Sequence, residues 1–318
     1  MTHELELLIV IINYKTADLV IDCLKTVLPQ LQTNQSVVVV DNDSQDGSAD
    51  VIAHWLSESG QGKIDLIRSP LNSGFSGGNN LGIKHKKAQN YLLLNSDTLL
   101  RENALSELLR TAAEFPDAGM VSPRLEWPDS TPQISCFRFH NPISEFIYAA
   151  STGPITKLLK RWDVPLDIES SLSFPEWTSF ACVLVKAEVI DRVGLMDDGY
   201  FLYYEDVDYC RMAKNEGLNI VNNPSARVVH LRGGSSDVKK NISTKRRLPK
   251  YYYASRSRYF AKHYGVLGLV LTNLMWHSGR IISYIRERLG KQDSPACENQ
   301  YADIWTNLSQ PLKPFRIK

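Results

Sequence analysis

The first 125 residues alternate between short apolar runs and segments with helical periodicity. The apolar runs are continuous, as is typical of strands buried on both faces of a sheet. They predict strands at 7–13, 36–41, 63–67 and 91–95. Apolar positions spaced by three and four residues predict helices at 17–30, 49–58 and 103–115, and the glycine-rich segment 72–80 opens a further short helix.

This strand–helix alternation predicts an α/β fold with a mostly parallel sheet and helices on both of its faces. Ligands of such sheets bind at the carboxyl ends of the strands. Tyr14, Asp41, the 72–80 loop and Asp97 each follow a predicted strand. The pattern therefore predicts that these polar features meet in one crevice at one edge of the sheet.

The middle of the chain is less regular. Residues 126–176 are rich in proline and serine, and their pattern predicts no clear elements. A strong pattern returns at 177–221. The elements predicted there are a strand ending at Val185, a helix ending at Val193, a helix from Glu205 to Glu216, and a strand after Gly217.

The composition changes beyond Arg227. Residues 227–262 contain eleven Lys or Arg and one acid, Asp237, with tyrosines interleaved. An apolar segment, 266–285, follows and is broken by three polar side chains, and the last 30 residues are expected to be loosely structured. Two interpretations stay open: 239–285 docks on anionic lipid, or this part is a helical extension that packs on the rest of the protein.

Composition limits the class of protein. The chain has 318 residues, of which 43% are hydrophobic and 22% charged, enough for one large domain or a domain with an extension. The formal net charge of +1 gives no reason to expect a nucleic acid partner. The five cysteines form no C-x-x-C pair, which argues against a zinc ribbon or a disulfide framework and suits a reducing cytosol.

The segment 1–15 has an acidic start and no small residues after its apolar run, so we expect a first strand there and not a signal peptide. No run of 18 apolar residues predicts a transmembrane helix. These features favour a cytoplasmic location.

The oxygen-rich segment that begins at Asp41 is not an EF-hand. Gln45, Asp46 and Ile52 occupy loop positions five, six and twelve, where a calcium loop needs an oxygen ligand, a glycine and a glutamate. Two interpretations remain. The strand ends in an Asx turn, with Asp46 or Ser48 capping the next helix, or Asp41 accepts hydrogen bonds from a nucleoside base or ribose.

Two further strand ends carry candidate chemistry. The 72–80 loop lacks the G-x-G-x-x-G spacing, so it is either a flexible loop with Asn79 or Asn80 as a helix cap, or a glycine-rich approach to a phosphate or sugar. Asp97 is either a helix cap or a ligand of a divalent cation bound to a diphosphate, since Mg²⁺ needs only one or two carboxylates when phosphates complete its shell.

The second half carries an acidic cluster and a histidine. Glu205, Asp206 and Asp208 crowd a predicted helix start beside tyrosines. They are either acids favoured by the helix dipole, or a pair in which crowding raises one pKa enough to make a general base. His230 follows a short apolar strand and is either structural or a ligand of a metal or phosphate.

Together these segments resemble family 2 glycosyltransferases of the GT-A fold, and within them the bacterial rhamnosyltransferase-like branch. The resemblance runs from about residue 7 to residue 265. Its carriers are IINYK, VVVVDNDSQDGS, NSGFSGGNNLG, LLLNSDT, VSPRL, FLYYEDVDYCRMAKNEG, ARVVHLRGGS and RSRYFAKHYG.

The resemblance implies a domain division. Residues 1–230 would form the GT-A catalytic domain, with a nucleotide-binding half, 1–125, and an acceptor half, 126–230. Residues 231–318 would form a basic, partly apolar carboxyl-terminal extension.

The resemblance also implies roles for individual residues. Asp206 would be the catalytic base beside Glu205, and Asp97 with His230 would hold Mg²⁺ or Mn²⁺. Acceptor contacts are expected at Trp177 and Tyr204. Donor contacts are expected at Tyr14, Asp41, Asn72, Gly74, Phe75, Asn80 and Asn95.

The chain departs from the family at two positions and leaves two residues without a role. Asn95 replaces the first acid of the D-x-D metal motif, which weakens the metal prediction. Phe180 stands where relatives usually have glycine, which is expected to reshape the acceptor side. Arg124 and Arg138 lie where the family often has basic residues.

The expected activity is inverting sugar transfer from a nucleoside diphosphate donor to a hydroxyl of a glycan or lipid-linked glycan, in cell-surface polysaccharide synthesis. The first expected donor is dTDP-L-rhamnose, and the alternative is a UDP-sugar such as galactofuranose or GlcNAc. Contact with the inner membrane face is expected through 239–285. A nucleotidyltransferase is disfavoured because NYKTAD, after the first strand, has no glycine. A non-catalytic nucleotide-sugar-binding protein stays open.

Overall fold

The computed structural model describes residues 5–59, 62–232 and 238–316. An eight-stranded sheet forms its centre, with the order β3-β2-β1-β4-β9-β6-β10-β5, and β7 and β8 form a separate ribbon. The strands are β1 (Leu5–Asn13), β2 (Gln35–Asp41), β3 (Ile64–Arg68), β4 (Ala88–Asn95), β5 (Thr98–Leu100), β6 (Ala118–Glu126), β7 (Cys136–Phe137), β8 (Trp177–Thr178), β9 (Cys182–Lys186) and β10 (Asn219–His230).

Helices cover both faces of the sheet. They are α1 (Ala17–Val27), α2 (Ser48–Ser59), α3 (Gly74–Ile83), α4 (Ala104–Glu114), α5 (Pro142–Ala150), α6 (Gly153–Leu158), α7 (Ala187–Val193), α8 (Glu205–Asn215), α9 (Val238–Ser243), α10 (Lys250–Arg288) and α11 (Gln300–Asp303). Two apolar layers, one on each face, bury the side chains that alternate along the central strands. The strands and helices predicted in the first 125 residues are therefore confirmed, with ends that differ by a few residues.

The register brings the strand ends to one level. β1 pairs in parallel with β2 and β4, so that Asn13 lies opposite Asp41 and Ile12 lies opposite Asn95. β9 then runs antiparallel between β4 and β6, and β5 runs antiparallel to β10. The sheet is mixed but mostly parallel, and the polar residues after β1, β2 and β4 share one edge, as predicted.

The proline- and serine-rich middle has more structure than its pattern predicts. Asn141 caps α5 by accepting hydrogen bonds from the backbone N–H groups of Ile143 and Ser144. α5 then packs against α10 at close range, because a Cβ on Gly279 would lie 2.3 Å from the carbonyl oxygen of Phe146. The sequence pattern missed α5 because its partner helix begins about a hundred residues later in the chain.

The long helix α10 contains one break. Gly265 has φ +72°, a conformation that side-chain-bearing residues rarely adopt, so the helix changes direction there. The segment after α10 packs back on the protein: Cys297 and Ile304 are buried, and Arg247 makes two hydrogen bonds to Asp303. The prediction of loose structure is therefore wrong for 289–316, because its partners are distant in sequence.

The part of the basic stretch that lies in α10 is largely paired with acids. Arg256 contacts Glu145, Arg258 contacts Asp197, and Lys262 contacts Asp208, all at 2.8 Å or less. For 250–263, the structure thus favours the interpretation in which the segment packs on the rest of the protein over the one in which it forms a basic surface. Asp237 and the glycines after Arg232 lie outside the described residues. No helix in the described part of the chain is long and apolar enough to cross a membrane.

Candidate active site

A cavity of about 290 Å³ opens at the carboxyl edge of the sheet. Its size is close to the lower end of the range for small-molecule sites. Its lining combines polar strand ends, the start of α8 and parts of the carboxyl-terminal region. The predicted site residues that line it are Tyr14, Asn72, Gly74, Phe75, Asn95, Asp97, Glu205, Asp206 and His230.

Asn42 organises one wall of the cavity. Its amide Nδ2 donates to Asn72 Oδ1 (3.1 Å) and to the carbonyl oxygen of Gly74 (3.0 Å). Its Oδ1 accepts from the backbone N–H and the hydroxyl of Ser73. The sequence prediction did not include Asn42, although it directly follows β2 beside Asp41. This amide ties the end of β2 to the loop that opens α3.

Gly74 permits a contact that no other residue could make at its position. Its φ is +73°, and a Cβ there would lie 2.1 Å from the carbonyl oxygen of Phe201. That same carbonyl accepts a hydrogen bond from the Phe75 N–H at 2.8 Å. The glycine-rich loop therefore lies in close contact with the segment that precedes α8.

Asp41 is buried behind the wall and does not line the cavity. Its Oδ1 accepts hydrogen bonds from Asn13 Nδ2 (2.7 Å) and Ser44 Oγ (2.6 Å), and Ser44 Oγ accepts from the Lys15 N–H. Asp46 accepts from the N–H of Ser48, where α2 begins. This matches the turn-and-cap interpretation, in which Asp41 shapes the loop that carries Tyr14.

Asp97 and His230 meet because β5 pairs antiparallel with β10. His230 lies opposite Thr98 in the register, and the Leu231 N–H donates to the carbonyl oxygen of Asp97. His230 Nε2 lies 3.5 Å from Asp97 Oδ1. His230 Nδ1 is buried and has no hydrogen-bond partner among the described residues. The structure thus unites two residues that are far apart in sequence, as the metal prediction requires.

Two acids at the start of α8 form the opposite wall. Burial raises the pKa of Asp206 to about 6, opposed by the N–H groups of Val207 and Phe180 that bind the carboxylate. Burial and the neighbouring Asp206 hold the pKa of Glu205 well above its usual range. Glu205 Oε2 has no hydrogen-bond partner in the described part of the chain. The two carboxyl groups interact, and the charge of Asp206 is one cause of the upward shift of Glu205, so Asp206 is the stronger acid of the pair.

Three other predicted residues lie away from the cavity. Asn80 bridges to Met196, donating to its carbonyl oxygen (2.8 Å) and accepting from its N–H (3.1 Å). Trp177 and Tyr204 are buried in the core, where the Trp177 ring stacks on Phe137 at 4.2 Å. These side chains are engaged in packing, so the geometry does not place Trp177 or Tyr204 against an acceptor.

The two arginines without a predicted role also lie outside the cavity lining. Arg124 donates to Glu126 and to the carbonyl oxygen of Ser130, and Arg138 donates to the carbonyl oxygen of Asp163. Through these hydrogen bonds both arginines stabilise the structure around them.

Aromatic residues that the prediction passed over line the cavity instead. Phe201, Tyr203 and Tyr251 do so, and Phe180 lies there as its departure from the family pattern suggested. Tyr203 and Tyr204 both have φ +69°, which directs the chain sharply into α8. The repeated tyrosines before Glu205 were a visible signal, but the sequence did not show which ring faces the cavity.

The chain is similar to known proteins in both sequence and fold. Residues 8–161 match the family model described as Glycosyl transferase family 2. The low-salt glycan biosynthesis hexosyltransferase Agl10 of Haloferax volcanii is 26% identical over 219 residues, covering 68% of this chain and 64% of the relative. The N-acetylglucosaminyl-diphospho-decaprenol L-rhamnosyltransferase of Mycobacterium tuberculosis is 28% identical over 148 residues, covering 46% of this chain and 48% of the relative. The chain thus spans less than two thirds of either relative.

Solved structures agree on the fold. The mannosyltransferase PcManGT from Pyrobaculum calidifontis, in complex with GDP-Man and Mn²⁺, superimposes with a TM-score of 0.54 at 13% identity, covering 98% of this chain and 86% of that one. GalNAc-T7 with UDP, GalNAc and Mn²⁺ gives 0.57 at 15% identity, covering 91% and 57%. At these identities the likeness shows the fold alone, which is GT-A. Residues 8–161 thus match glycosyltransferase family 2, and both relatives are glycosyltransferases by name.

Proposed function

We propose that this protein transfers a sugar from a nucleoside diphosphate donor to a hydroxyl group, with inversion at the anomeric carbon. The observation that carries the proposal is the position of Asp206, which shares one cavity with the strand-end wall of Tyr14, Asn72 and Asp97. One wall offers contacts for a nucleotide and the other offers a base. In the domain division that we propose, residues 1–230 supply both walls.

Asp206 acts as the general base. Its carboxylate accepts the proton of the acceptor hydroxyl while the hydroxyl oxygen bonds to the anomeric carbon. The bond from that carbon to the diphosphate oxygen breaks on the opposite face, and its electron pair leaves with the diphosphate. A pKa near 6 leaves Asp206 mostly ionised at neutral pH yet more basic than an ordinary aspartate. The pKa of Glu205 is held well above its usual range, so Glu205 is the weaker acid of the two.

Asp97 and His230 would hold a divalent cation, Mg²⁺ or Mn²⁺. The fit rests on the 3.5 Å between His230 Nε2 and Asp97 Oδ1. The described residues contain no group of three or more His, Cys, Asp or Glu side chains that could hold a metal ion by themselves. The cation would therefore need diphosphate oxygens and water to complete its shell. When bound, it neutralises charge on the leaving diphosphate.

The donor we favour is dTDP-L-rhamnose, with a UDP-sugar such as UDP-galactofuranose or UDP-GlcNAc as the alternative. One relative is named a rhamnosyltransferase and the other a hexosyltransferase, and both identities are under 30%. The acceptor we favour is a lipid-linked glycan in cell-surface polysaccharide synthesis, on the cytoplasmic side of the membrane. The name of the mycobacterial relative, which specifies a decaprenol-linked acceptor, supports this choice.

The second part of α10 supports a membrane contact. Leu267, Leu271, Leu274, Ile281 and Ile285 are all more than half exposed, and their spacing places them on one side of the helix. Arg286 and Arg288 lie in its last turn, and the acid between them, Glu287, is paired with Arg280. An apolar face flanked by positive charge fits an anionic bilayer surface. We propose that this face, and not the paired 250–263 segment, contacts the inner membrane face.

A thermal-shift panel tests the donor site. We expect dTDP or UDP to raise the melting temperature more than GDP or CDP, because a ligand that binds the native state stabilises it. The rise should grow with Mg²⁺ or Mn²⁺ and shrink in EDTA. If the rise in melting temperature does not depend on metal, Asp97 and His230 are not metal ligands, and the transferase proposal still stands.

The product of the reaction separates the remaining possibilities. Release of nucleoside diphosphate from the sugar donor supports transfer, whereas pyrophosphate would indicate a nucleotidyltransferase. Nucleotide binding without turnover, with candidate acceptors present, would favour the non-catalytic sugar-nucleotide protein. No binding of any nucleotide by folded protein would overturn the proposed function.

Vesicle flotation tests the membrane contact. The full chain should float with vesicles of phosphatidylcholine and phosphatidylglycerol but not with phosphatidylcholine alone. The triple change Leu267→Gln, Leu271→Gln, Leu274→Gln should abolish flotation, whereas Leu158→Gln, at an 81% exposed position of α6, should not. If the triple variant instead loses only self-association in light scattering, the face is a contact between copies and the membrane proposal is wrong.

A further inference from the structure

Lys239 is the one lysine or arginine among the described residues that line the cavity. It lies on α9, beyond the segment that the resemblance assigns to the catalytic domain. Lys239 belongs to the basic stretch 227–262, and its position in the sequence predicts no individual role for it. Most other walls of the cavity are built from β-strand ends and α8, so Lys239 is the charge that the carboxyl-terminal extension contributes.

The surroundings of Lys239 are acidic on two sides. Lys239 is an exposed residue, but the cavity wall desolvates its ammonium group, which lowers the pKa of that group together with the charge of Arg232; the carboxylates of Asp97 and Asp206 oppose this shift. Lys239 is thus close enough to interact with the acid on each wall. Within the described ranges, the ion pairs of Asp97 and Asp208 are made with His230, Lys262 and His263 and not with Lys239.

Other cations nearby are committed to the protein. Arg232 donates to Gln133 and to the carbonyl oxygen of Ile134, and its guanidinium lies 5.4 Å from the Trp127 ring centre. Lys262 is bound to Asp208 and Asp197. Among these three basic residues, Lys239 is the one that lines the cavity, and no ion pair within the described ranges involves it.

We propose that Lys239 binds the diphosphate of the donor and stabilises it as the leaving group. This inference rests on the proposed function. The leaving diphosphate gains negative charge as its bond to the sugar breaks, and a positioned ammonium group lowers the free energy of that charge. Asn95, which stands where the family has a metal-binding acid, leaves fewer anionic ligands for a cation. A protein cation at this place supplies part of the missing neutralisation.

Calorimetric titration with ligands of graded charge tests the role. The probes are the nucleoside, its monophosphate and its diphosphate, with thymidine or uridine as the base, against wild type, Lys239→Met and Lys239→Arg. We expect Lys239→Met to weaken diphosphate binding about five- to tenfold, since the lysine is partly solvated and a charged hydrogen bond there is worth less than a buried one. Nucleoside binding should be unchanged, and Lys239→Arg should keep most of the affinity.

Lys240→Met is the matched control. It removes the same charge from the neighbouring residue of α9, which is exposed and does not line the cavity. Equal losses for the two methionine variants, or equal losses for nucleoside and diphosphate in Lys239→Met, would overturn the assignment. In those cases wild type still binds the diphosphate, so the proposed function survives. Failure of wild type to bind any diphosphate would overturn both.

Discussion

The two walls of the cavity are held in place by different kinds of interaction. On the donor side, the side-chain amide of Asn13 donates to Asp41. The amide of Asn42 donates to Asn72 and to the carbonyl oxygen of Gly74. Behind the opposite wall, the buried carboxylate of Asp208 on α8 contacts Lys262 and His263 of α10, each at 2.7 Å. One wall depends on amide networks at strand ends, and the other on ion pairs from a distant helix.

This difference has a physical consequence for the chemistry. Neutral amides such as Asn42 and Asn72 line the nucleotide side of the cavity without adding charge, so most of that wall presents hydrogen-bond donors and acceptors at little electrostatic cost, and Asp97 is its one acid. The ion pairs behind α8 neutralise charges that would otherwise be buried, and they leave Glu205 and Asp206 as the desolvated acids that line the cavity. The walls should therefore respond differently to substitution.

The largest expected effect is at the base. Asp206→Asn removes the proton acceptor and should lower kcat about a thousandfold, while the affinity for the nucleoside diphosphate stays within about twofold of wild type. Steady-state kinetics and calorimetric titration measure the two quantities. Asp191→Asn, an exposed acid on α7, is the control and should leave both unchanged. Substantial transfer by Asp206→Asn would show that another group is the base.

The next largest effect is a loss of stability when the ion pair between α5 and α10 is broken. Arg256 and Glu145 are 2.8 Å apart, with side chains only 3% and 9% exposed. Arg256→Met leaves a buried carboxylate without its partner and should lower the free energy of unfolding by about 3–5 kcal/mol. Urea denaturation measures this change.

The double variant Arg256→Met, Glu145→Gln should recover much of that loss, because no buried charge is left unpaired. Removing Lys25 from its exposed pair with Asp22 is the control for an ordinary surface ion pair and should have only a small effect. If Arg256→Met costs no more than the Lys25 change, the pair does not hold α10 on the domain.

A smaller loss of stability is expected on the donor side. Gly74→Ala meets both an unfavourable φ and a clash with the Phe201 carbonyl, so we expect a cost of about 3 kcal/mol and weaker nucleotide binding. Gly47→Ala isolates the backbone term, since Gly47 has φ +83° but no atom within 4 Å of the added Cβ. It should cost only about 1 kcal/mol. Equal costs in urea denaturation would show that the contact with Phe201 is not what restricts position 74.

The smallest and most specific effect concerns pH. A base must be deprotonated to act, so kcat/KM should fall as the pH drops below about 6, the pKa of Asp206. Glu205→Gln should leave this midpoint nearly unchanged, because the pKa of Glu205 is held well above its usual range and Asp206 is expected to be the first of the pair to lose its proton. A midpoint that moves down by about a unit in Glu205→Gln would mean that Glu205 is charged in the active protein and that the two roles are divided differently.

Local pattern was a good guide where the interactions are local. The four apolar runs predicted β1 to β4, and the polar residues after them predicted the edge where the cavity lies. Asn80 and Asp41 show the limit of this reasoning, because both are polar, lie near strand ends and yet turn their side chains to Met196 and Asn13. Residue type and position indicate that a polar group is needed, but not which neighbour it satisfies.

By itself, the sequence determined the alternating strands and helices, the edge of the sheet where the cavity lies, and the acids and histidine that line it. These follow from periodicity and from residue chemistry, which act over a few neighbouring positions. Only the tertiary structure decided that His230 reaches Asp97, that Trp177 and Tyr204 are core residues, and that Lys239 faces the cavity. Each of those outcomes depends on contacts between residues far apart in sequence, where burial and charge pairing are fixed by packing.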